Sequence, residues 1–281
     1  MDGAPLHLLG LALAFSHQIA TGAPFVGHPV ARAAWTVLWV GALGVVVAYR
    51  VVVPLLRTAR HRPRILSTRP EAPGVVSVTL TGRALNRMGA LGGSSSRSGR
   101  CGADCGGQAH PYSLSGVPSG ERMRITVRTS GDHGAALAAL APGTPVAVEG
   151  PYGAFTKEAT DGHRVLLAGA GVGMAPVRAL LEDLPPAVDV VVLARASTGA
   201  ELVLGDEVRE LVRRRGARLY ELLGPRETVS LTPASLTDLV PDLPARDVYV
   251  CGPDGFTAAV RTAAQSAGVR PERIHDEAFA F

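Results

Sequence analysis

The sequence predicts an α+β multidomain protein in which N-terminal apolar helices precede an antiparallel β-barrel and a doubly wound parallel α/β domain. Three observations predict this order. Long apolar stretches open the chain, short half-polar strand patterns follow, and strand and helix patterns alternate from residue 164 onward. The predicted boundaries place the apolar helices in residues 1–63, the barrel in residues 64–158 and the α/β domain in residues 159–281.

The composition excludes several classes of protein. Hydrophobic residues make up 47% of the 281 residues and charged residues 19%, a balance that excludes a disordered chain. The formal net charge is +4, and no long basic block is interleaved with aromatic residues, so we expect no nucleic-acid partner. Three cysteines are too few for a disulfide scaffold or for a four-cysteine iron–sulfur cluster.

Two apolar stretches, at about 5–20 and 34–56, are interpreted as membrane spans. A spanning helix needs roughly 20 apolar residues, and the second stretch meets this length, with Trp35 and Trp39 as interfacial anchors. A basic cluster follows it and favours a cytoplasmic location for that end: Arg57, Arg60, His61, Arg62 and Arg64. We therefore expect a multi-pass protein of the cell membrane, with the lipid bilayer as a partner and the barrel and α/β domains in the cytoplasm. The first stretch also fits a signal peptide, although its start carries Asp2 instead of basic residues.

Two histidines, His7 and His17, lie within or beside the first apolar stretch. An ionisable side chain inside a membrane is a candidate functional site, and histidine is a common haem ligand. The sequence therefore offers both as haem ligands. The alternative is that they lie at the two membrane interfaces, and two helices are few to enclose a haem.

Strand and helix patterns fill the rest of the chain. Half-polar alternation and Gly/Pro turns predict barrel strands at 74–81, 123–129 and 144–148. Apolar runs predict the parallel strands of the α/β domain at 164–168, 188–194, 219–222 and 247–251. Helices are predicted between and after them, at 175–184, 206–215, 233–239 and 256–267.

The strongest local motif is LLAGAGVGMAPVRALL at residues 166–181, a strand that runs through glycines into a helix. Gly171 and Gly173 lack the Cβ atoms that would keep a phosphate away from the backbone, and Pro176 suits the first turn of a helix. Met174 stands where the usual third glycine would be. We interpret the loop as a phosphate-binding loop; the alternative is a plain turn.

The next strand of the α/β domain ends at Arg195. Enzymes that use NAD commonly place an acidic residue there to bind the ribose 2′-hydroxyl, whereas a guanidinium suits a 2′-phosphate. Arg195 therefore favours NADPH over NADH, unless it is an exposed arginine without a ligand.

Five motifs in order resemble the ferredoxin–NADP reductase superfamily: HPYSLS at 110–115, GPYGAF at 150–155, GVGMAP at 171–176, CGP at 251–253 and the tail HDEAFAF. The branch of ferric-reductase and NADPH-oxidase-like transmembrane flavoproteins is the most similar, over residues 6–281. The resemblance implies an FAD-binding barrel of the ferric-reductase type, followed by a domain that binds NADPH or NADH.

The resemblance also implies which barrel residues contact FAD. Tyr112 would lie against the isoalloxazine ring, and Ser113 would form a hydrogen bond near its N5 atom. His110 and Pro111 belong to the same segment, and Arg128 would face the pyrophosphate. Two glycines would close the flavin site, Gly150 and Gly153.

In the α/β domain, the resemblance implies a nicotinamide site and a cover for the flavin. Cys251, Gly252 and Pro253 would lie beside the nicotinamide. The tail would cover the other flavin face with Glu277, Phe279 and Phe281. Ser113, Cys251 and Glu277 are the candidate catalytic residues. The alternative interpretations are structural: a core aromatic for Tyr112, a buried strand residue for Cys251 and sheet-edge packing for the two phenylalanines.

The chain departs from the family in three places. It has fewer predicted spans, and Gly134 stands where relatives often carry serine. Residues 92–107, GGSSSRSGRCGADCGG, replace a strand rich in aromatic residues, and a Gly/Ser segment supplies no apolar face. We therefore expect the barrel to be open at this segment. Because synonymous codons exist for which a shifted frame encodes the aromatic pattern, one hypothesis is a pair of compensating frameshifts. A flexible loop and a metal or redox pair of Cys101 and Cys105 are the alternatives.

Together the motifs predict a membrane-bound oxidoreductase. Electrons would pass from NAD(P)H through FAD to a haem, ferric or other one-electron acceptor that the sequence does not identify. One alternative is a membrane-tethered flavin reductase that serves a soluble partner. The other is a degenerate, non-catalytic remnant.

Overall fold

The computed structural model describes residues 28–88, 95–100, 110–152, 155–160, 162–225, 228–229 and 231–278, together with Gly10, Ala14 and His17. The chain separates into two compact units, Met1–Ala59 and Arg60–Phe281. The predicted domain boundaries at 63/64 and 158/159 stay predictions.

The first unit contains helix α1, Pro29–Val47, which starts with proline at its first position. A π-helical turn, Ala48–Val52, leads into helix α2, Val53–His61. In the described part of the chain, α1 alone is long and apolar enough to cross a membrane: its mean hydropathy is 1.8 and none of that window is buried. One helix of this kind near the N-terminus also fits a signal sequence. The expectation of several membrane spans is therefore not supported. The earlier apolar stretch, at 5–20, lies mostly outside the described residues.

Six strands of the second unit form the predicted antiparallel β-structure. One sheet has the order β1-β2-β5, with β1 Arg64–Ala72, β2 Val75–Thr81 and β5 Arg122–Arg128. The other has the order β4-β3-β6, with β3 Ser95–Arg100, β4 His110–Ser113 and β6 Val146–Tyr152. Isolated bridges join β4 to β5 (Leu114 to Ile125) and β1 to β6 (Arg64 to Pro145), so the sheets close into a barrel. A short helix α3, Asp132–Ala138, follows β5.

The backbone of residues 95–100 corrects the expectation of an open barrel. Strand β3 pairs with β4 on one side and with β6 on the other. The physical reason is that a β-ladder needs only backbone N–H and C=O groups, which Ser, Gly and Arg provide as well as apolar residues do. Because the sequence of β3 is SSRSGR, the strand completes the hydrogen bonding without contributing apolar residues.

The α/β domain is a parallel sheet with the order β11-β10-β7-β8-β9. Its strands are β7 Arg164–Ala170, β8 Asp189–Ala196, β9 Arg218–Leu223, β10 Asp247–Gly252 and β11 Ile274–Ala278. The helices are α4 Met174–Asp183, α5 Gly205–Arg215, α6 Pro233–Leu239 and α7 Asp254–Ser266. The predicted alternation of strands and helices is confirmed, within a few residues at each end.

Burial on both faces explains why these strands appear as continuous apolar runs. Along β7, Val165 and Leu167 pack on one face with α4 and α5. Leu166 and Ala168 pack on the other face with α6 and α7. The sheet is therefore doubly wound, as predicted.

Candidate functional site

The strand order fixes where a ligand is expected. The order reverses between β7 and β10, and ligands of open α/β sheets bind outside the carboxyl ends of the strands at this switch point. The glycine loop Gly171–Gly173 follows β7 directly, and Gly252 and Pro253 end β10. The topology therefore brings two predicted binding motifs, about 80 residues apart in sequence, to one point.

Gly173 is required by the packing of this switch point. A Cβ atom there would lie 2.2 Å from the Cys251 carbonyl oxygen and 2.7 Å from the Gly252 nitrogen. Gly171 has a φ of +55°, and no atom lies within 4 Å of the place where its Cβ would be. One glycine thus lets two backbones touch, and the other leaves a ligand free access to the loop.

A cleft of about 360 Å³ opens beside the glycine loop. The barrel lines it with Gly74, Arg128 and Ser130, and the α/β domain lines it with Gly171, Glu201, Gly252 and Pro253. Four residues predicted to bind cofactors (Arg128, Gly171, Gly252 and Pro253) therefore share one cavity between the two domains.

Strand β4 carries the predicted flavin contacts. Ser113 is 2% exposed, and its Oγ has no hydrogen-bond partner among the described residues. Tyr112 is half-buried against the barrel core, and this burial raises the pKa of its phenol. A buried hydroxyl without a partner is costly, so Ser113 fits a position that a polar ligand atom completes.

Cys251 and Glu277 lie in neighbouring strands and form one register pair of β10 and β11. Cys251 is fully buried in the core between the sheet and α4. Burial first, and the charge of Glu277 second, raise the pKa of its thiol well above the ordinary value. Cys251 is therefore a neutral thiol at pH 7, and it is a core residue as well as a neighbour of the cleft.

Comparisons with known proteins agree with this architecture. No protein-family model matches the sequence. The chain is 31% identical over 195 residues to a flavohemoprotein of Chromobacterium violaceum, covering 61% of this chain and 48% of the relative. It is 30% identical over 181 residues to the ferredoxin reductase component of 3-ketosteroid-9-alpha-monooxygenase from Rhodococcus rhodochrous, covering 62% and 51%. The chain thus spans about half the length of the curated relatives that it matches.

Solved structures have the same fold. The flavohem-like FAD/NAD-binding domain of nitric oxide dioxygenase from Vibrio cholerae has a TM-score of 0.65 at 23% identity, covering 78% of this chain and 99% of that one. A ferredoxin–NADP+ reductase from Neisseria gonorrhoeae, solved with FAD and NADP bound, has a TM-score of 0.62 at 17% identity, covering 77% and 97%.

The chain is therefore similar to ferredoxin–NADP reductase-like flavoprotein reductases. The names of these relatives, a flavohemoprotein and the ferredoxin reductase component of a monooxygenase, agree with the predicted enzyme class of flavoprotein oxidoreductases. None of the four relatives and structures named above is described as a transmembrane ferric reductase.

Four other predicted residues are not among the described residues that line the cleft. Arg195 ends β8 and donates hydrogen bonds to the carbonyls of Leu222 (3.0 Å), Gly224 (2.7 Å) and Ala196. Pro176 is buried in the first turn of α4. Gly150 lies in β6, and the backbone of His110 lies in β4. The roles of all four stay predictions.

Several predicted residues lie outside the described part of the chain: His7, Gly153, Phe279, Phe281, Cys101 and Cys105. His17 is an exposed helical residue. In the part of the chain that the structure describes, no group of three or more His, Cys, Asp or Glu side chains is placed to hold a metal ion. Haem binding by His7 and His17 therefore stays a prediction.

Gly134 has a structural explanation that the sequence did not provide. A Cβ atom there would lie 1.9 Å from the carbonyl oxygen of Arg128. Serine at this position would force α3 away from the end of β5. The glycine is therefore a packing requirement of this backbone, and not only the loss of a phosphate contact.

The sequence interpretation missed the polar residues that join the two domains. Arg124 of β5 forms a bidentate ion pair with Glu207 of α5, and Glu201 lines the cleft. A charged residue between Met123 and Ile125 follows the ordinary alternation of a half-buried strand, so Arg124 carries no distinctive signal in the sequence. Its partner lies 83 positions away and has no local signature.

Proposed function

We propose that this chain is an FAD-dependent reductase that takes electrons from NAD(P)H and passes them to a one-electron acceptor. The observation that carries the proposal is the cleft at the switch point, where Arg128 of the barrel meets Gly171, Gly252 and Pro253 of the α/β domain. A single cavity lined by both domains suits a reaction between a flavin held by one domain and a nicotinamide held by the other.

The residues present fit an FAD group. Ser113 offers a buried hydroxyl without a partner, Tyr112 offers a half-buried aromatic ring, and Arg128 offers a cationic group at the cleft. Bound FAD would supply the chemistry, accepting two electrons from NAD(P)H and releasing them singly. Ser113 and Tyr112 would orient it, and Arg128 would bind its phosphates.

The glycine loop would bind the phosphates of the coenzyme at the start of α4, a ten-residue helix. Cys251, a neutral buried thiol, would pack beside the nicotinamide without acting as a nucleophile. Glu277, its register neighbour, would lie at the same edge of the sheet.

The acceptor is proposed from the relatives. One is a flavohemoprotein, one is the reductase component of a monooxygenase, and one structural neighbour, with a TM-score of 0.64, is an Amycolatopsis cytochrome P450 reductase. An acceptor that contains haem or belongs to an oxygenase agrees with all three. A separate, soluble acceptor is the second candidate, because the monooxygenase reductase is named as a component of a larger system.

We also propose that the chain is anchored in the cell membrane through its N-terminal segment, with the barrel and α/β domains in the cytoplasm. Helix α1 has the length and composition, and the chain enters the second unit at Arg60. The same end of the barrel carries exposed arginines, opposite to the end at the cleft: Arg60, Arg62, Arg64, Arg83, Arg87 and Arg122. Arginines that follow an apolar helix closely in the sequence favour anionic lipid headgroups.

The first prediction tests the flavin site. Arg128→Ala should weaken FAD binding by about 10- to 100-fold, because it removes a charge-assisted contact to phosphate. The measurements are FAD affinity by flavin absorbance, and NAD(P)H-dependent reduction of ferricyanide, in mild detergent.

Arg69→Ala is the control, because Arg69 is an exposed arginine of the same barrel that does not line the cleft. A wild-type protein that retains no FAD, or that holds FAD without being reduced by either coenzyme, would contradict the proposed function.

The second prediction concerns the coenzyme. If Arg195 receives the 2′-phosphate, Arg195→Ala should raise the KM for NADPH by about tenfold or more and change that for NADH little. Glu201→Gln is the matched comparison, because its carboxylate lines the cleft and suits a ribose hydroxyl. Equal increases in the KM for NADPH and NADH in Arg195→Ala would contradict the 2′-phosphate contact. Arg195 would then only connect β8 to β9 through its hydrogen bond to Leu222.

The third prediction concerns the anchor. The wild-type protein should stay with membranes after an alkaline carbonate wash. The double variant Val40→Arg/Leu43→Arg should move to the supernatant, since each arginine at the centre of a span costs about 2.5–3.5 kcal/mol. Leu66→Arg/Val117→Arg, at exposed positions of the second unit, is the control and should stay with the membrane. Release of the wild-type protein would contradict the anchor.

A further inference from the structure

A chain of polar contacts joins the predicted flavin strand to the nucleotide-binding domain. On the barrel side, Arg124 donates from Nε to the Ser115 hydroxyl (3.1 Å) and from Nη2 to the Ser115 carbonyl (2.7 Å). The Ser115 amide donates back to the Arg124 carbonyl at 2.9 Å. Ser115 is fully buried and lies two residues after Ser113. Arg124 therefore fixes the end of the segment that carries Tyr112 and Ser113.

On the other side, the same guanidinium binds Glu207 in the first turn of α5, at 2.6 and 2.7 Å. Glu207 also forms an ion pair with Arg178 of α4, with 2.9 Å between Glu207 Oε2 and Arg178 Nε. Helix α4 begins directly after the glycine loop, so Arg178 lies about one turn from it. Glu207 thus contacts one arginine from each domain.

A second contact runs parallel to the first. Glu182, also on α4, pairs with Arg178 and accepts a hydrogen bond from the Val117 amide at 2.9 Å. Two links therefore connect residues 115–117, which follow the flavin strand, to the helix that follows the glycine loop. The side chains of Arg124 and Glu207 are only 21% and 27% exposed, so solvent screens this ion pair less than it screens a surface pair.

Electrostatics keep the link charged at neutral pH. Burial raises the pKa of Glu207, but the hydrogen bond and charge of Arg124, and then those of Arg178, outweigh it and leave the pKa below the ordinary value. For Arg124, burial lowers the pKa of the guanidinium. The hydrogen bond and the charge of Glu207 outweigh this effect, so the pKa lies above its ordinary value.

We propose that Arg124 and Glu207 are positioning residues that set the flavin strand against the nucleotide loop, and so set the distance for electron transfer from NAD(P)H to FAD. This inference rests on the proposed function. The two residues touch neither the cleft nor the predicted reacting groups, and they act through Ser115 and through α4. An error of about 1 Å in such a placement is enough to slow a reaction about 100-fold.

The test compares Glu207→Gln with Glu210→Gln. Glu210 lies on the same helix and pairs with Arg213 and Arg214 on its exposed face, so the control removes a carboxylate and its ion pairs without touching the barrel. The variant Glu207→Asp keeps the charge with a shorter reach. The double variant Arg124→Gln/Glu207→Gln tests whether the two residues act as one unit.

The first readout needs no flavin. In the full chain without FAD, amide hydrogen exchange of residues 113–117 should become at least about tenfold faster in Glu207→Gln and stay unchanged in Glu210→Gln. Exchange at 113–117 that is the same in both variants would overturn the proposal, whatever the enzyme does.

The second readout is the rate of flavin reduction by NAD(P)H in protein loaded with FAD. Glu207→Gln should slow it about 10- to 100-fold at saturating coenzyme, with little change in KM or in FAD affinity. Glu207→Asp should recover part of the rate, and the double variant should be no slower than Glu207→Gln. A loss that appears in KM or FAD affinity alone, or additive losses in the double variant, would overturn the positioning role. If the wild type is not reduced at all, the proposed function fails, while the exchange experiment still decides whether Glu207 holds the strand.

Discussion

The close approach of two backbones at the switch point is the constraint on which the site depends. The loop after β7 lies on the end of β10, and Gly173 permits this because any Cβ would overlap the carbonyl of Cys251. Were the loop displaced, α4 would begin elsewhere, and the contacts of Arg178 and Glu182 with the barrel side would move with it. The cleft, the first turn of α4 and the interface between the domains therefore all depend on the absence of a side chain at Gly173.

The barrel reaches this point by two different kinds of contact. Apolar packing comes from Val75 and Phe155, which belong to the same hydrophobic core as the α/β domain. The ring of Phe155 packs edge-on against the ring of Tyr249, with the two ring centroids 5.1 Å apart. The Tyr249 hydroxyl also donates to the Thr156 carbonyl at 2.8 Å, which fixes the segment between the domains. Apolar burial stabilises the contact between the domains but does not fix their orientation, whereas the bidentate ion pair of Arg124 and Glu207 has a defined geometry. The two together hold one domain against the other at a defined angle.

Much of the α/β domain could be predicted from the sequence because its strands are buried on both faces. The run RVLLAGA of β7 and the run DVYVCG of β10 leave few alternatives, and the glycine loop stands at the carboxyl end where topology requires it. Strand β3 could not be predicted in this way. Its residues, SSRSGR, carry no periodic apolar signal, so its pairing is set by its neighbours β4 and β6. Sequence periodicity indicates which side chains are buried. Strand β3 is formed by backbone hydrogen bonds and has no apolar periodicity, so its sequence does not predict it.

The ion pair of Arg124 and Glu207 was outside the reach of sequence reasoning for another reason. Each residue is ordinary in its own element, a charge on a half-buried strand and an acid in the first turn of a helix, where the helix dipole favours it. Only the folded chain brings them together, and only there does Glu207 also meet Arg178. Three of the groups predicted to contact the cofactors, by contrast, are neutral or cationic: the Ser113 hydroxyl, the protonated Cys251 thiol and the Arg128 guanidinium. Such groups suit the binding and orientation of an anionic dinucleotide. In the proposed reductase, the contribution of these groups is therefore geometric, and the residues that determine the geometry lie at the interface between the domains as well as in the cleft.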